Sequence, residues 1–467
     1  MERLSYDNVF EILLFFLRRR LNYGDEEKEV ARCMCVSKLW YRVISDILRQ
    51  VLWPHSPIVG LYHIRSTNIQ PKRVRFAQHT ASRSNHTTHH ATTPDRFLCD
   101  NRPITNFFFI DCCNGLLLIF DIKYDIYYVC NPYTRRRTDI PKPHHHHFPF
   151  AKNILCVALA YDPLESSFYK VVIITATATT TGNYNNIDSN DNFEFIDIFS
   201  SSTGEWNRTT LKLDPFFIRD SFSRYTVPRV YFHRVLYRIS SSLKLSCVPI
   251  DNNISSNISP TADDHDNENN KSTTTIDLPA ITDDSNVGMG CLGVSMIRTT
   301  ACLSYCRRER TTYGVWLCHV DDGDEWIPTY TISIEQLKTR CTIGLFISHD
   351  DILLMEPCAI GPNPCVMFFG IRGTIFSYNF KTNVLKLVHE TPVAPDNSNC
   401  FFPVFTFRAC LLPFQGQDKR NIISSTPSHS HEAFSKVQMG WWKYRLWEDE
   451  NESTTPSFLK YFVYEVF

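Results

Sequence analysis

The chain reads as an α+β multidomain protein: a small three-helix bundle followed by an all-β domain built as an irregular propeller of about six blades. Three observations predict this. After Ser37, the residues Trp40, Val43, Ile44, Ile47, Leu48 and Val51 recur at three- and four-residue steps, the stripe of an amphipathic helix. Between residues 97 and 412 helical patterning nearly vanishes, and short β-branched and aromatic runs bounded by turn formers replace it. Four of these runs lead through a polar turn into a second strand, as the outer hairpins of propeller blades do.

The first helix is expected from Val9, Ile12, Leu13, Phe16 and Leu17, with Asp7 and Asn8 near its start and Arg18, Arg19 and Arg20 at its end. Anions in front and cations behind both suit the helix dipole. Asn22, Tyr23 and Gly24 break the pattern, and Asp25, Glu26 and Glu27 open a short second helix running to about Cys35. Ser37 is placed to cap the third, its hydroxyl accepting a backbone N–H that would otherwise be orphaned. Three helices in about fifty residues make a core too small to be robust alone, so apolar surface should stay exposed for a partner.

Residues 52–96 lose periodicity and become rich in His, Thr, Ser and Asn, a linker composition. The tracts at about 175–192 and 251–286 read as long loops, the second as disordered. Between them GLLLIF, IYYVCN, LAYDP, YKVVII, FIDIFS, VLYRIS, LKLSCV, YGVWLCHV, ILLM, CVMFFG and IFSYNF read as strands, with one helical turn around Ile334 to Lys338. The repeated hairpins are VCNPYTRRRTDIP, IFSSSTGEWNRTTL, CHVDDGDEWIPTYTI and SYNFKTNVLKLV, with Trp206 and Trp326 at matching offsets. Roughly 310 residues at about 50 per blade give about six blades. Residues 413–467 form a polar tail whose final SFLKYFVYEVF reads either as a closing strand or as a docking or unstructured addition.

Composition narrows the function. At 467 residues the chain exceeds one ordinary core. A formal charge of -1 argues against a nucleic-acid surface held by bulk electrostatics, and Arg135, Arg136 and Arg137 read as a solvated corner. No run approaches the roughly twenty apolar residues of a membrane span; FFFIDCCNGLLLIF is interrupted by Asp111, Asn114 and Gly115. Met1-Glu2-Arg3 leads into an amphipathic helix rather than a cleavable apolar core, so cytoplasm or nucleus is the expected place. The 17 cysteines are scattered without a C-x-x-C pair and read as reduced, buried thiols.

Reactive constellations are not legible. Gly288, Gly290 and Gly293 spell G-x-G-x-x-G, but no strand precedes and no helix follows, as a nucleotide turn requires. His144 to His147 are adjacent in sequence and cannot all face one metal. Cys302, Cys306, Cys318 and His319 read as core residues on alternating strands. No nucleophile elbow, H-E-x-x-H or phosphate-binding Gly-Lys-Ser/Thr loop occurs. No catalytic residue, metal or cofactor is therefore expected.

The stretch VARCMCVSKLWYRVISD, Val30 to Asp46, resembles the second half of an F-box. Where that family opens with Leu-Pro, this chain has Leu4 followed by Ser5 and Tyr6, and LNYGDEEKE replaces the family's short link between helices. Further on, CCNGLLLIF, YYVCNPYTRRRTDIP, LAYDPLESSFYKVV, DIFSSSTGEWN, VWLC…DEW and IFSYNFKTNVLKLV resemble the landmarks of the plant F-box-associated domain, a kelch-like β domain. They stand in the family's order over most of residues 105–390.

The resemblance implies an F-box-like helical domain at 1–51, a linker at 52–96, the β domain at 97–412 and the tail at 413–467. It implies a non-catalytic substrate receptor of an SCF-type cullin ubiquitin ligase, acting in protein degradation. The helical end would bind a Skp-type adaptor and through it cullin, and the β domain would hold a target protein, with no nucleic acid or membrane involved. The adaptor face is expected at Leu4, Ile12, Leu13, Leu17, Val30, Val36 and Trp40, with Trp40 and Ile44 the foremost candidates for the bundle's own core. Target contacts are not legible, because specificity lives in loop tips. The alternatives are an adaptor-independent protein-binding propeller and, behind it, a lectin or propeller enzyme.

Overall fold

A computed structural model describes residues 5–20, 30, 32–53, 56, 58–67, 70–78, 107–132, 134, 136–143, 154–175, 193–212, 229–239, 244–250, 271–279, 290–297, 300–320, 325–341, 355–371, 374–390, 404–408, 410 and 412. The chain forms two compact units, one of residues 1–51 with 418–467 and one of residues 52–417.

In the smaller unit, helix α1 (Tyr6–Arg20) packs on helix α2 (Lys38–Ile47), and Val30 and Arg32–Met34 are helical between them. Ser5 caps α1: its Oγ accepts the Asn8 N–H at 3.3 Å and its carbonyl accepts the Val9 N–H at 3.1 Å. Ser37 caps α2 from an extended backbone, its Oγ accepting the Trp40 N–H at 3.2 Å. Val9, Leu13 and Leu14 of α1 are buried, as are Val43, Ile44 and Ile47 of α2, Val30 and Cys33. Residues 25–29, the expected start of the middle helix, lie outside the described residues.

The larger unit opens with a hairpin, β1 (Ile58–Thr67) and β2 (Gln70–Gln78). Blade I follows: β3 (Phe107–Cys113), β4 (Leu116–Asp121), β5 (Ile126–Asn131) and β6 (Arg136–Ile140). Blade II is β7 (Ile154–Ala160), β8 (Lys170–Thr175), β9 (Phe193–Ser200) and β10 (Glu205–Lys212). Blade III is β11 (Arg229–Phe232), β12 (Val235–Ile239), β13 (Lys244–Pro249) and β15 (Thr274–Asp277), while the short β14 (Lys271–Ser272) pairs in parallel with β10. Blade IV is β16 (Cys291–Ile297), β17 (Thr300–Arg308), β18 (Thr312–Cys318) and β19 (Trp326–Ser333), ending in helix α3 (Ile334–Cys341). Blade V is β20 (Glu356–Ile360), β21 (Val366–Ile371), β22 (Thr374–Asn379) and β23 (Val384–Glu390).

The inner strands of the blades are buried on both faces, which explains why β4 and β7 are buried at every position instead of alternating; only Asp121, at the end of β4, is polar. Leu155, Ala158, Val172 and Ile174 of blade II meet Leu236 and Val248 of blade III. Tyr237 and Leu245 of blade III meet Leu303 and Tyr305 of blade IV, and Tyr313 and Val315 there meet Met367 and Phe369 of blade V. All four repeated hairpins of the sequence are the third and fourth strands of a blade.

The ring is closed by β24 (Val404–Arg408), which pairs antiparallel with β1 and lies beside β20 on one side and β3 on the other. Leu61 and Ile58 pack on Phe368 of blade V, and Tyr62 and Phe407 pack on Phe109 and Leu117 of blade I. Arg408 stacks over the Trp53 ring at 4.2 Å and donates to the carbonyls of Trp53 and of Ser56, the latter at 3.2 Å.

Four expectations are corrected. The described residues form five complete blades rather than six; the remaining sheet, β2-β1-β24, has three strands drawn from both ends of the unit. Dividing length by a blade repeat overcounted because long connections inflate the length. Residues 58–78, read as linker, form strands: the polar composition belongs to 79–96 and masked the hairpin in a wide window. The tract 251–286 contains β15. The helical turn near residue 334 extends to an eight-residue helix, started by Ser333 and Gln336 capping each other at 3.0 and 3.1 Å. The proposed closing strand in 457–467 lies outside the described residues.

Gly115 has φ +84°, and a Cβ there would come within 2.6 Å of the Arg408 carbonyl and 2.7 Å of Cys410 Cβ. Gly115→Ala should therefore destabilise the β unit by about 2–4 kcal/mol, read as a lowered urea midpoint. An unchanged midpoint would mean that β24 does not bear on this turn.

Candidate functional site

The structure separates the seven residues expected on the adaptor face. Ile12 is exposed, and Val36 and Trp40 are half-buried. Leu13 and Val30 are each only 2% exposed and belong to the interior, a correction with a simple cause. Leu13 stands four residues after Val9, on the stripe that faces α2, whereas Ile12 lies about 100° away around the helix. Leu4 and the Leu17 side chain lie outside the described residues. Ile44 is fully buried as expected, but Trp40 is not.

The open apolar surface is built from Phe15 (68% exposed), Ile12 and Tyr6 (41% each) and Leu39 (37%). Ile12 and Phe15 are three residues apart and share a face of α1. Sequence reasoning passed over Phe15 and Leu39 because it kept one stripe per helix. The available signal was ILLFFL itself, apolar nearly all round and therefore in need of cover on more than one side. At the head of α1, the Tyr6 hydroxyl donates to the Asp46 carboxylate of α2 at 2.6 Å.

In the β unit the landmark phrases turn inward. Asn114 Nδ2 and Cys113 Sγ donate to the Tyr161 carbonyl at 2.8 and 3.2 Å. Asn131 Nδ2 donates to the Cys410 carbonyl at 2.8 Å, and the Tyr161 hydroxyl lies 3.9 Å from Cys410 Sγ. These residues fasten the closing segment and are scaffold.

Beside them Asp111 joins three blades. Its Oδ2 accepts the Leu159 N–H of β7 at 2.9 Å and lies 3.2 Å from Arg229 Nε of β11, while Oδ1 accepts the Cys112 N–H at 2.9 Å. Arg229 Nη2 donates to the Ile110 carbonyl at 2.5 Å. Burial pushes the Asp111 carboxyl above its ordinary value, and Arg229 opposes that shift.

The exposed large apolar side chains of the described β unit are spread over blades I, II, IV and V: Tyr124, Leu164, Phe168, Ile327, Val384 and Leu387. Leu164 and Phe168 are exposed on the loop after β7, and Tyr231 donates to Glu165 of that loop at 3.2 Å. The neighbouring two-residue turn His233-Arg234 has φ of 46° and 64°, the left-handed region that the corresponding turn in blade I fills with Asn114-Gly115.

Among the described residues no three His, Cys, Asp or Glu side chains converge to hold a metal ion. Cys302, Cys306 and Cys318 are buried in β17 and β18, and burial raises the Cys302 thiol to about 11. Gly293 lies within strand β16 and Gly290 just before it; Gly288 and His144 to His147 lie outside the described residues.

A family model described as F-box protein At3g26010-like, beta-propeller, matches residues 91–403, more than half of the chain. No curated protein matches. Among solved structures, Kluyvelomyces marxianus Hsv2 is 12% identical with a TM-score of 0.26, covering 47% of this chain and 59% of its own. A Dos1 propeller is 9% identical with a TM-score of 0.25, covering 62% of this chain and 70% of its own. At these scores neither likeness bears on function.

Asp111→Ala should cost about 3–5 kcal/mol in urea unfolding, because Arg229 and two buried N–H groups lose their acceptor. A loss below about 1 kcal/mol would sink that account. Replacing His233-Arg234 by Asn-Gly should raise stability by about 1 kcal/mol, since both residues then fit a left-handed turn. A lowered melting temperature would show that these side chains hold the turn together.

Proposed function

This chain belongs to the family of F-box proteins with an At3g26010-like β-propeller, and on that premise we propose that it is a substrate-recognition subunit of an SCF-type cullin ubiquitin ligase. The observation that carries the reading is the coupling of two things in one chain: a helix pair that keeps Phe15 and Ile12 in solvent, and a closed all-β unit. The helical unit docks a Skp-type adaptor, and through it cullin, by Ile12, Phe15 and Leu39, with Val36 and Trp40 at the margin. Fully burying one such side chain contributes about 1.5–3 kcal/mol. The β unit, read as the kelch-like F-box-associated part, holds the target protein.

On this reading the chain performs no bond chemistry and needs no cofactor. Its mechanism is proximity: tethering a target's lysines near a ubiquitin thioester raises their effective concentration. The cytoplasm or nucleus is where such a complex would work.

One observation favours a second reading, an adaptor-independent protein-binding propeller: Ser5 and Tyr6 stand where the F-box opening has Pro and its neighbour. Co-purification of the full chain with a Skp-type adaptor distinguishes the two. Wild type should retain the adaptor, and Phe15→Asp should lose at least tenfold in retention with its helical circular dichroism intact. Leu13→Ala should instead lower stability by about 2–5 kcal/mol. A wild-type chain that retains no adaptor overturns the first reading and supports the second.

A further inference from the structure

We propose that Tyr6 and Asp46 are positioning residues, a tie that sets α1 on α2 and so fixes where the Ile12 and Phe15 face stands relative to Leu39. This rests on the adaptor reading above for its function, though the tie itself is read directly from geometry. Proline at the first position of a helix presets the backbone for helical entry. Here that position is Tyr6, preceded by Ser5, and two other devices do the work. Ser5 caps the helix through its Oγ. The Tyr6 ring then stacks on Phe10, one turn along, with centroids 6.2 Å apart, and its hydroxyl reaches the Asp46 carboxylate 40 residues away in sequence.

At 2.6 Å this is a short hydrogen bond to a carboxylate at an exposed site, directional though in competition with water. The described residues buried on the two helices are mostly apolar: Val9, Leu13 and Leu14 on α1, and Val43, Ile44 and Ile47 beside Ser45 on α2. Such packing is attractive but non-directional, and it leaves sliding and rotation of a short helix weakly opposed. The hydrogen bond is directional and joins the first residue of α1 to the last turn of α2. Bonding to Asp46 raises the Tyr6 hydroxyl to about 12, so the proton that makes the tie stays in place at any physiological pH. Because Ile12 and Phe15 ride on α1 and Leu39 on α2, Tyr6→Phe moves the face while keeping the apolar ring at position 6.

The test uses the full chain, a purified Skp-type adaptor as probe, and amide hydrogen exchange. Tyr6→Phe should weaken adaptor binding about three- to fivefold, the scale of one exposed hydrogen bond to a charged group. Exchange in α1 should accelerate by a similar factor, with exchange in the β unit unchanged. Asp46→Ala should give the same losses, and the double variant no more than either single one. Asp46→Asn, which keeps an acceptor, should recover most of the affinity. Additive losses overturn the proposal, as does unchanged exchange in α1 on Tyr6→Phe. Weaker binding with unchanged exchange would make Tyr6 a direct contact, which also overturns it. Should wild type show no affinity for the adaptor, the functional reading fails separately, and accelerated exchange in Tyr6→Phe would still establish the tie.

Discussion

The β unit depends on pairing β1 with β24, segments drawn from opposite ends of its sequence. Arg408 on one reaches the Ser56 carbonyl beside the other across 352 positions of chain. A blade with two apolar faces cannot stand at the end of an open row, because its outer face would meet water. Closure removes that end. The entropy of closing so long a loop is modest, since each doubling of length adds only about 0.6 kcal/mol. Burying Tyr62, Leu61 and Phe407 between blades I and V outweighs that increment several-fold. The three-stranded sheet is thus the clasp of the ring.

The clasp explains the recurrent phrases of the sequence better than surface function does. CCNG, VCNP and AYDP look like motifs because their polar groups answer one another: Asn114 and Cys113 bind Tyr161, and Asn131 binds Cys410. Each satisfies a carbonyl that burial would otherwise leave without a partner. Asp111 and Arg229 extend this logic across three blades at a buried site, where a charge is tolerable only with its acceptors and donors in place. The left-handed His233-Arg234 turn is a local cost that the surrounding blades hold in place.

The helical unit is organised by the opposite condition. Among its described residues, α1 and the second helix carry more apolar side chains than they bury, and Phe15 and Ile12 stay exposed. In an enclosed core that would be a defect. Here it leaves an open apolar surface on α1, and polar contacts at Ser5, Ser37 and Tyr6 hold the two helices that carry it.

Periodicity in the sequence determined the helices near residues 9 and 40, most inner strands of the five blades and the four outer hairpins, but not β3, β11, β15 or β20. Those signals are local, set by neighbours two to four residues apart. Which apolar residue faces in and which faces out was not local: Leu13 and Phe15 are equally apolar, and only the placement of α1 against α2 buries one and exposes the other. The hairpin at 58–78 was hidden by the polar residues that follow it, and the pairing of its first strand with residues 404–408 is invisible to any window. Blade number, closure and the Asp111–Arg229 contact belong to the same class. They depend on residues brought together from across the chain, and only the tertiary structure decides them.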